Sequence, residues 1–432
     1  MSSPRPLLGF WMCVALVVGN SIGSGVFLLP ASLAPFGLNS VIAWGFTASG
    51  AIALAIVFAR LSRAYPQAGG PYAYVHVAFG PLTAFIVAWG YWISIWVGNV
   101  SIGTAVVSYL SPLMPWIAEK PGTSALVTLV LLWSLTFVNW YGIKASGWVQ
   151  SVTTVLKILP LIAVAALGVL AARPASSSTA AQIPLSVGGV TAAATLTLWA
   201  LLGLESATIP ADKVANPART IPLTTLLGTI VTAIICAVAC TTVLLLVPPA
   251  TLAKSNAPFV DLAIQFWGQG AGKLVAVFAA ISAFGALNGW ILLQGELPRA
   301  MAIRGDFPRI FARESVHGTP GFGLSVGSGL ATLLILAKYQ ESMVGVFTFM
   351  ILLSTTTCLV LYACCSAALL RLQWTKKLGP LSKSSTALAI VGILATAYSL
   401  WAIVGAGAEA VLWGAALLLA GVPLYYWYRR SR

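Results

Sequence analysis

Gly19-Asn20-Ser21-Ile22-Gly23-Ser24-Gly25 sits in the middle of an apolar run covering about residues 8–32. A glycine inside a helix costs about 1 kcal/mol relative to alanine, so this cluster predicts a helix that unwinds at its centre. A second stretch, Trp199-Ala200-Leu201-Leu202-Gly203-Leu204-Glu205-Ser206, interrupts the apolar run near 188–208, about 180 residues further on. Interrupted helices at matching places in the two halves of a membrane chain point to a transporter's midplane site. The competing reading is close helix packing, which small residues also provide in lipid. Close packing has no use for an acid, and the second interruption contains one.

Working outward, the chain divides into roughly twelve apolar runs of spanning length. They lie near 8–32, 38–60, 81–109, 123–142, 148–171, 188–208, 222–247, 273–295, 322–338, 343–370, 385–404 and 408–427. Only 7% of the 432 residues are charged and 59% are apolar. A soluble domain keeps about a quarter of its residues charged, so this chain is expected to use lipid as solvent. Backbone in lipid must satisfy its own hydrogen bonds, which makes the runs helices. The alternating ten-residue pattern of a membrane barrel is absent. The first run lacks a short apolar core ending in a small-residue cleavage site, so it reads as a retained helix and not a signal peptide. The loops Ser62–Pro81, Ala172–Val187, Val247–Gly272 and Arg299–Gly321 read as connections, the last with a short helix.

The net charge of +14 invites a nucleic-acid reading, but its placement argues against one. With the N-terminus inside, 17 of the 23 basic residues fall on the cytoplasmic side and 5 outside, while Lys157 lies within a run. That asymmetry follows the positive-inside rule and sets topology with both termini cytoplasmic. Contact with lipid headgroups is secondary. The six cysteines all lie in apolar runs and read as small fillers. The two histidines, His76 and His317, fall in loops, so no metal site or other cofactor is expected.

Several polar groups lie inside the runs. Glu205 is the only acid well inside one. Placing a charge there costs at least about 2.5–3.5 kcal/mol on insertion scales, so a functional role is the default and Glu205 is a proton-sensing candidate. The plainer alternative is a carboxyl that ties the broken helix to its neighbours. Lys157, in Thr153-Thr154-Val155-Leu156-Lys157, reads as a functional cation, against a snorkelling one. Asn20, Asn99 and Asn288 are further polar groups, and Asn288 reads as interhelical glue. Trp199 and Trp290 stand beside the second interruption and the small-residue run Gly285-Ala286-Leu287-Asn288-Gly289. A tryptophan face can bind a desolvated cation with about 2 kcal/mol. Glu296 is expected to pair with Arg299 in preference to lining an inner vestibule.

Gly19–Pro30 resembles the start of bacterial amino acid/polyamine antiporters. So do Leu198–Ala207 followed by Asn216-Pro217-Ala218-Arg219, Tyr91-Trp92 with Trp96-Val97-Gly98-Asn99, and Gly289-Trp290-Ile291-Leu292-Leu293. The likeness runs over nearly the whole chain, and the arginine/agmatine antiporters are similar. It implies the amino acid–polyamine–cation superfamily fold: an all-α integral membrane protein forming one domain over 1–432, in the inner membrane of a bacterium. Two inverted five-helix repeats of LeuT-like arrangement, about 8–171 and 188–370, have broken first and sixth helices. Two extra helices follow at about 385–427, and such proteins are often homodimers.

The same resemblance implies roles. Backbone amides around Ser21, Ile22, Gly23, Ser24 and Gly25 would receive a substrate carboxylate, which suits the positive end of a half-helix. Carbonyls near Trp199, Ala200 and Leu202 would accept an α-ammonium. Trp290 would stack on the distal part of the substrate and Trp199 would close the site from outside. Asn99 and Ser354 would hydrogen-bond a polar head, with Ile102 beside it, and Tyr91 would act with Glu205 and Trp290 in gating. Three positions depart from the arginine/agmatine pattern: Ala200 stands in place of a serine, Ile95 of a cysteine and Lys157 of an alanine. Lysine at that place resembles proton-coupled and neutral amino acid permeases, and a fixed positive charge there would disfavour a dicationic substrate. The implied activity is exchange of an arginine-like amino acid for an agmatine-like amine, with a neutral amino acid permease as the alternative. An enzyme would need a catalytic cluster and an ATP-driven pump a phosphate-binding loop; neither motif occurs. A passive channel is set apart by saturable counterflow.

Overall fold

The first apolar run folds as two short helices and not as one. In the computed structural model, α1 (Phe10–Ser21) stops at Ile22, whose φ of −75° and ψ of 74° leave the helical region. α2 (Gly25–Leu33) then restarts. The structure describes residues 9–23, 25–66, 69–141, 160–167, 179–209, 211, 214–316, 318–378 and 385–430. Ser24, Lys157 and most of the expected fifth span lie outside them.

Helices supply the rest of the described architecture. They are α3 (Leu38–Ala64), α4 (Gly70–Phe79), α5 (Pro81–Leu110), α6 (Pro121–Tyr141), α7 (Val187–Trp199), α8 (Pro217–Leu246), α9 (Pro258–Ile303), α10 (Gly321–Ala337), α11 (Met343–Trp374), α12 (Thr386–Gly405) and α13 (Ala408–Arg430). Their starts follow ordinary capping chemistry. Ser186, Ser342 and Ser385 accept from backbone amides three residues on, at 3.0, 3.1 and 3.1 Å, and proline opens α5, α6, α8 and α9.

Nine helical segments among the described residues are long and apolar enough to cross a membrane. α7 has 13 residues and α10 has 17, which places them below that length. α7 is short because its run is interrupted after Trp199. Two connections hold more structure than the sequence suggests. α4 lies within the Ser62–Pro81 connection, between Gly69 (φ 96°) and Gly80 (φ 88°). α9 begins fourteen residues before the expected end of its loop and bends at Gly268, whose φ of 82° requires glycine. α9 runs on to Ile303 into the Arg299–Gly321 connection, whose described remainder carries a turn of 3-10 helix, Arg309–Ala312.

α5 is the central pillar. Its apolar window is 94% buried, against 28% for α12 and 22% for α13, so the last two helices sit at the periphery. α9 and α11 pack along α5 on either side, while α3 and α8 pack together beside α1. Buried polar side chains tie helices across the interior. Asn139 Nδ2 on α6 donates to Asn288 Oδ1 on α9 at 2.9 Å, so Asn288 is interhelical glue as expected. All six cysteines are free thiols.

Ion pairs gather outside the apolar layer. Arg299 pairs with Glu296 at 3.4 Å and with Glu314. Tyr72 on α4 donates to Asp306 in the α9–α10 connection, beneath Arg304. Burial, then the Asp306 hydrogen bond, pushes the Tyr72 hydroxyl up, so it remains a donor at neutral pH.

Candidate functional site

The two interruptions meet at one cavity. α1 ends at it and α2 begins at it. Near α1, the Ile22 amide donates to the Val18 carbonyl and the Gly23 amide to Ser21, both at 2.8 Å. Opposite them α7 winds down in tight turns: amides of Ala200, Leu201 and Leu202 donate to Thr197, Leu198 and Trp199 carbonyls at 3.2, 2.9 and 3.3 Å. Gly203, at φ 101°, lets the chain reverse; its Cα stands so close to Asn20 that a Cβ would come within 3.3 Å of the Asn20 backbone.

Ten of the residues singled out in sequence line this cavity: Ser21, Gly23, Gly25, Tyr91, Ile102, Trp199, Leu202, Glu205, Trp290 and Ser354. Ile22 does not; its side chain is wholly buried in the core beside α2. Ala200 is packed into the same core. Asn99 is wholly buried behind the wall, where its Nδ2 donates to Gln294 Oε1 at 2.8 Å. Ser24 and Lys157 fall outside the described residues. Asn20, Ser94, Ile95, Gly98 and Cys358 also line the cavity. Asn20 and Ile95 were noted in sequence for other reasons; helical spacing is the signal that finds Gly98 and Cys358, since Tyr91, Ile95, Gly98 and Ile102 form one stripe of α5, and Ser354, Cys358 and Tyr362 one stripe of α11.

Glu205 is fully buried and is the only charged-type residue among those lining the cavity. Its Oε1 accepts from the Tyr91 hydroxyl at 2.7 Å and its Oε2 from the Tyr362 hydroxyl at 2.6 Å. The carboxyl therefore ties the broken sixth run to α5 and α11, and it also faces the cavity. Tyr362 was not singled out in sequence.

Trp199 lies across the cavity between two glycines. A Cβ on Gly25 would fall within its indole, and a Cβ on Gly98 would come 2.9 Å from Cη2 at the other end of the ring. Ser21 Oγ is buried on the cavity wall with no hydrogen-bond partner among the described residues. A buried hydroxyl without a partner costs about 1–3 kcal/mol, so this atom is suited to an arriving polar group. The first amides of α2 point the same way, since a helix start has no acceptors of its own. The cavity is thus lined by the start of α2 at Gly25, by Leu202 and the acid Glu205 of the second interruption, and by the indoles of Trp199 and Trp290.

A larger cavity shares Asn20, Tyr91 and Ile95 with it and reaches Glu296, Arg299 and Glu314. Glu296 therefore both pairs with Arg299 and lines this vestibule. The family comparison is decisive for the whole arrangement: amino acid permeases match residues 8–427.

The chain belongs to the amino acid permease family.

It is accordingly a multi-pass membrane transporter and not an enzyme. The putrescine transporter PotE of Haemophilus influenzae is 30% identical over 434 aligned residues, covering 98% of each chain. The cadaverine/lysine antiporter of Escherichia coli (strain K12) is 34% identical over 355, covering 80% of this chain and 78% of its own. PotE of the same E. coli strain is 31% identical over 427, covering 97% and 95%. These relatives carry the likeness to amino acid/polyamine transporters at large and do not single out the arginine/agmatine type.

Proposed function

We propose that this permease is a secondary active antiporter of a bacterial inner membrane, exchanging a cationic amino acid for a related amine by alternating access. Two inverted five-helix repeats with broken first and sixth helices, followed by α12 and α13, supply the moving parts. The reading is carried by one observation: both interruptions open onto a single cavity lined by Gly25 at the start of α2, by the lone acid Glu205 and by the indoles of Trp199 and Trp290. The Ile22 and Gly23 amides already donate within the chain, so an amino acid carboxylate suits the start of α2 at Gly25, and ammonium groups suit the carbonyls near Leu202 and the π faces. An amine made by losing that carboxylate keeps every other contact, so one site can serve both exchange partners. The substrates named for the relatives, putrescine, cadaverine and lysine, belong to the same cationic class.

Exchange in proteoliposomes loaded with arginine or lysine, against external radiolabelled amine or alanine, tests this directly. Cationic substrates are expected to drive saturable counterflow. Alanine exchange without arginine or lysine competition would favour a neutral amino acid permease, the reading that Lys157 supports. Trp290→Leu is expected to raise the KM for a cationic substrate about 30-fold, the equivalent of the roughly 2 kcal/mol of a desolvated cation–indole contact. An unchanged KM removes the stacking role. Lys157→Ala is expected to alter the pH profile of exchange or stop it, whereas wild-type behaviour would mean a lysine that merely snorkels.

A further inference from the structure

α2 is only nine residues long, and the break before it leaves its direction to be set from the side. Three other helices hold its first turn. Pro30 has no amide, so the Val26 carbonyl loses its helical donor, and Cys240 Sγ on α8 supplies one at 3.7 Å. The ring of Phe27 stands edge-on to Tyr109 of α5 and to Phe259 of α9, with centroids 5.7 and 5.5 Å apart. All three of these aromatic side chains are wholly buried. At the other end of α2, Ser32 Oγ lies 2.7 Å from Thr348 Oγ1 on α11.

The Tyr109 hydroxyl joins α2, α5 and α9 a second time, through hydrogen bonds. A hydroxyl has one hydrogen to give and lone pairs to receive with. Phe259 is the second residue of α9, where an amide has no helical acceptor, and its N–H donates to Tyr109 Oη at 3.3 Å. The hydrogen of that hydroxyl then goes to the Phe27 carbonyl, 2.7 Å away. The order is fixed, because an amide N–H cannot accept and a carbonyl cannot donate. Phe27 lies in the same turn as Gly25, which lines the substrate cavity. Tyr109 lies about two turns beyond Ile102 on α5, outside the cavity wall.

We infer that Tyr109 is a positioning residue that acts on one exchange partner and not on the other. It touches no substrate. Its hydroxyl locks the first turn of α2 to α5 and α9, and so sets where the Gly25 end of α2 meets a carboxylate. The amine partner has no carboxylate and makes no use of the α2 start, so the lock weights the cavity toward the amino acid. Without the hydroxyl, the Phe259 amide is left buried without an acceptor and the first turn of α2 is free to shift. This inference rests on the exchange of a cationic amino acid for its amine proposed above, and adds the residue that balances the two.

The test is the KM for each member of two matched pairs, lysine with cadaverine and arginine with agmatine, measured by counterflow in proteoliposomes. The members of a pair differ by one carboxylate. Wild type is measured first; if it exchanges neither pair, the exchange reading itself falls and takes this inference with it. For a pair that is exchanged, Tyr109→Phe keeps the ring and removes only the hydroxyl. It is expected to raise the amino acid KM about fivefold and the amine KM by less than about twofold. Phe27→Leu keeps the carbonyl but removes the ring between Tyr109 and Phe259, and a smaller shift of the same ratio is expected. Equal rises in both KM values, or a lower maximal rate with both KM values unchanged, would mean that the hydroxyl serves only the fold or the motion of α2, and overturn the assignment. Wild-type kinetics in Tyr109→Phe overturn it as well. If Tyr109→Phe does not reach the membrane, Phe27→Leu decides by the same ratio.

Discussion

Gly25→Ala is expected to cut exchange roughly 5- to 150-fold while the protein reaches the membrane in normal amount. Alanine is the better helix former, and Gly25 opens α2, so the helix itself gains from the change. The effect is steric. A Cβ at this position would lie inside the Trp199 indole, with Cε2 at 3.3 Å, and the far end of the ring is already closed against Gly98. The ring cannot slide along its own plane, because α2 and α5 block both ends. It must swing out of the place where it covers the cavity. Overpacking of this kind costs about 1–3 kcal/mol, equivalent to roughly 5- to 150-fold in the population of the covered arrangement. Counterflow rates and tryptophan fluorescence together check the account: the rate falls and the Trp199 environment changes. A Gly25→Ala protein that exchanges at the wild-type rate would mean that this ring position is not used in the transport cycle. Trp199→Leu in the same background removes the clash, and partial recovery of rate is expected.

That clash is legible only in three dimensions, although the glycine itself was conspicuous. The sequence makes the break near Gly23 plain because a glycine cluster contradicts the surrounding helix-forming run, and Glu205 is plain because an acid contradicts the apolar layer. Both lie where those contradictions put them, on one cavity. What the sequence hides is which face a helical residue turns. Ile22 sits inside the break yet packs into the core, and Ala200 does the same, because a turn rotates neighbouring side chains by wide angles. Asn99 is one residue beyond the cavity stripe of α5, about 100° round the helix from Gly98, and that rotation takes it behind the wall to Gln294. Tyr362 and Gln294 were invisible for a different reason. A tyrosine or glutamine in an apolar run is unremarkable until its partner is known, and the partners lie 157 and 195 residues away. α4 escaped notice because its ten residues are too short and too uniformly apolar to show a helical period against their flanking glycines.

Glu205 carries the other large expected effect, and two substitutions separate its duties. Each carboxyl oxygen accepts one tyrosine hydroxyl, from Tyr91 and Tyr362, so the acid is the joint between the broken sixth run, α5 and α11. Glu205→Ala leaves both hydroxyls buried without an acceptor. At about 1–3 kcal/mol for each, that is about 2–6 kcal/mol, and a marked loss of folded protein in the membrane is expected. Glu205→Gln keeps the shape and one acceptor oxygen, and a tyrosine hydroxyl can turn to accept from the new amide. It is expected to fold in normal amount. Gln can neither hold a negative charge opposite a cationic substrate nor exchange a proton, so a hundredfold loss of cation exchange is expected, about 2.8 kcal/mol at 1.4 kcal/mol per tenfold. Whatever part of the pH profile belongs to this carboxyl is expected to vanish with it. Purified yield and thermal stability read the joint, while counterflow across a pH series reads the charge. Wild-type exchange by Glu205→Gln, with wild-type pH dependence, would reduce the residue to its joint alone. Loss of exchange at normal yield instead assigns the acid to the cavity it faces, and makes the tyrosines the means by which substrate occupancy at Glu205 is felt on α5 and α11.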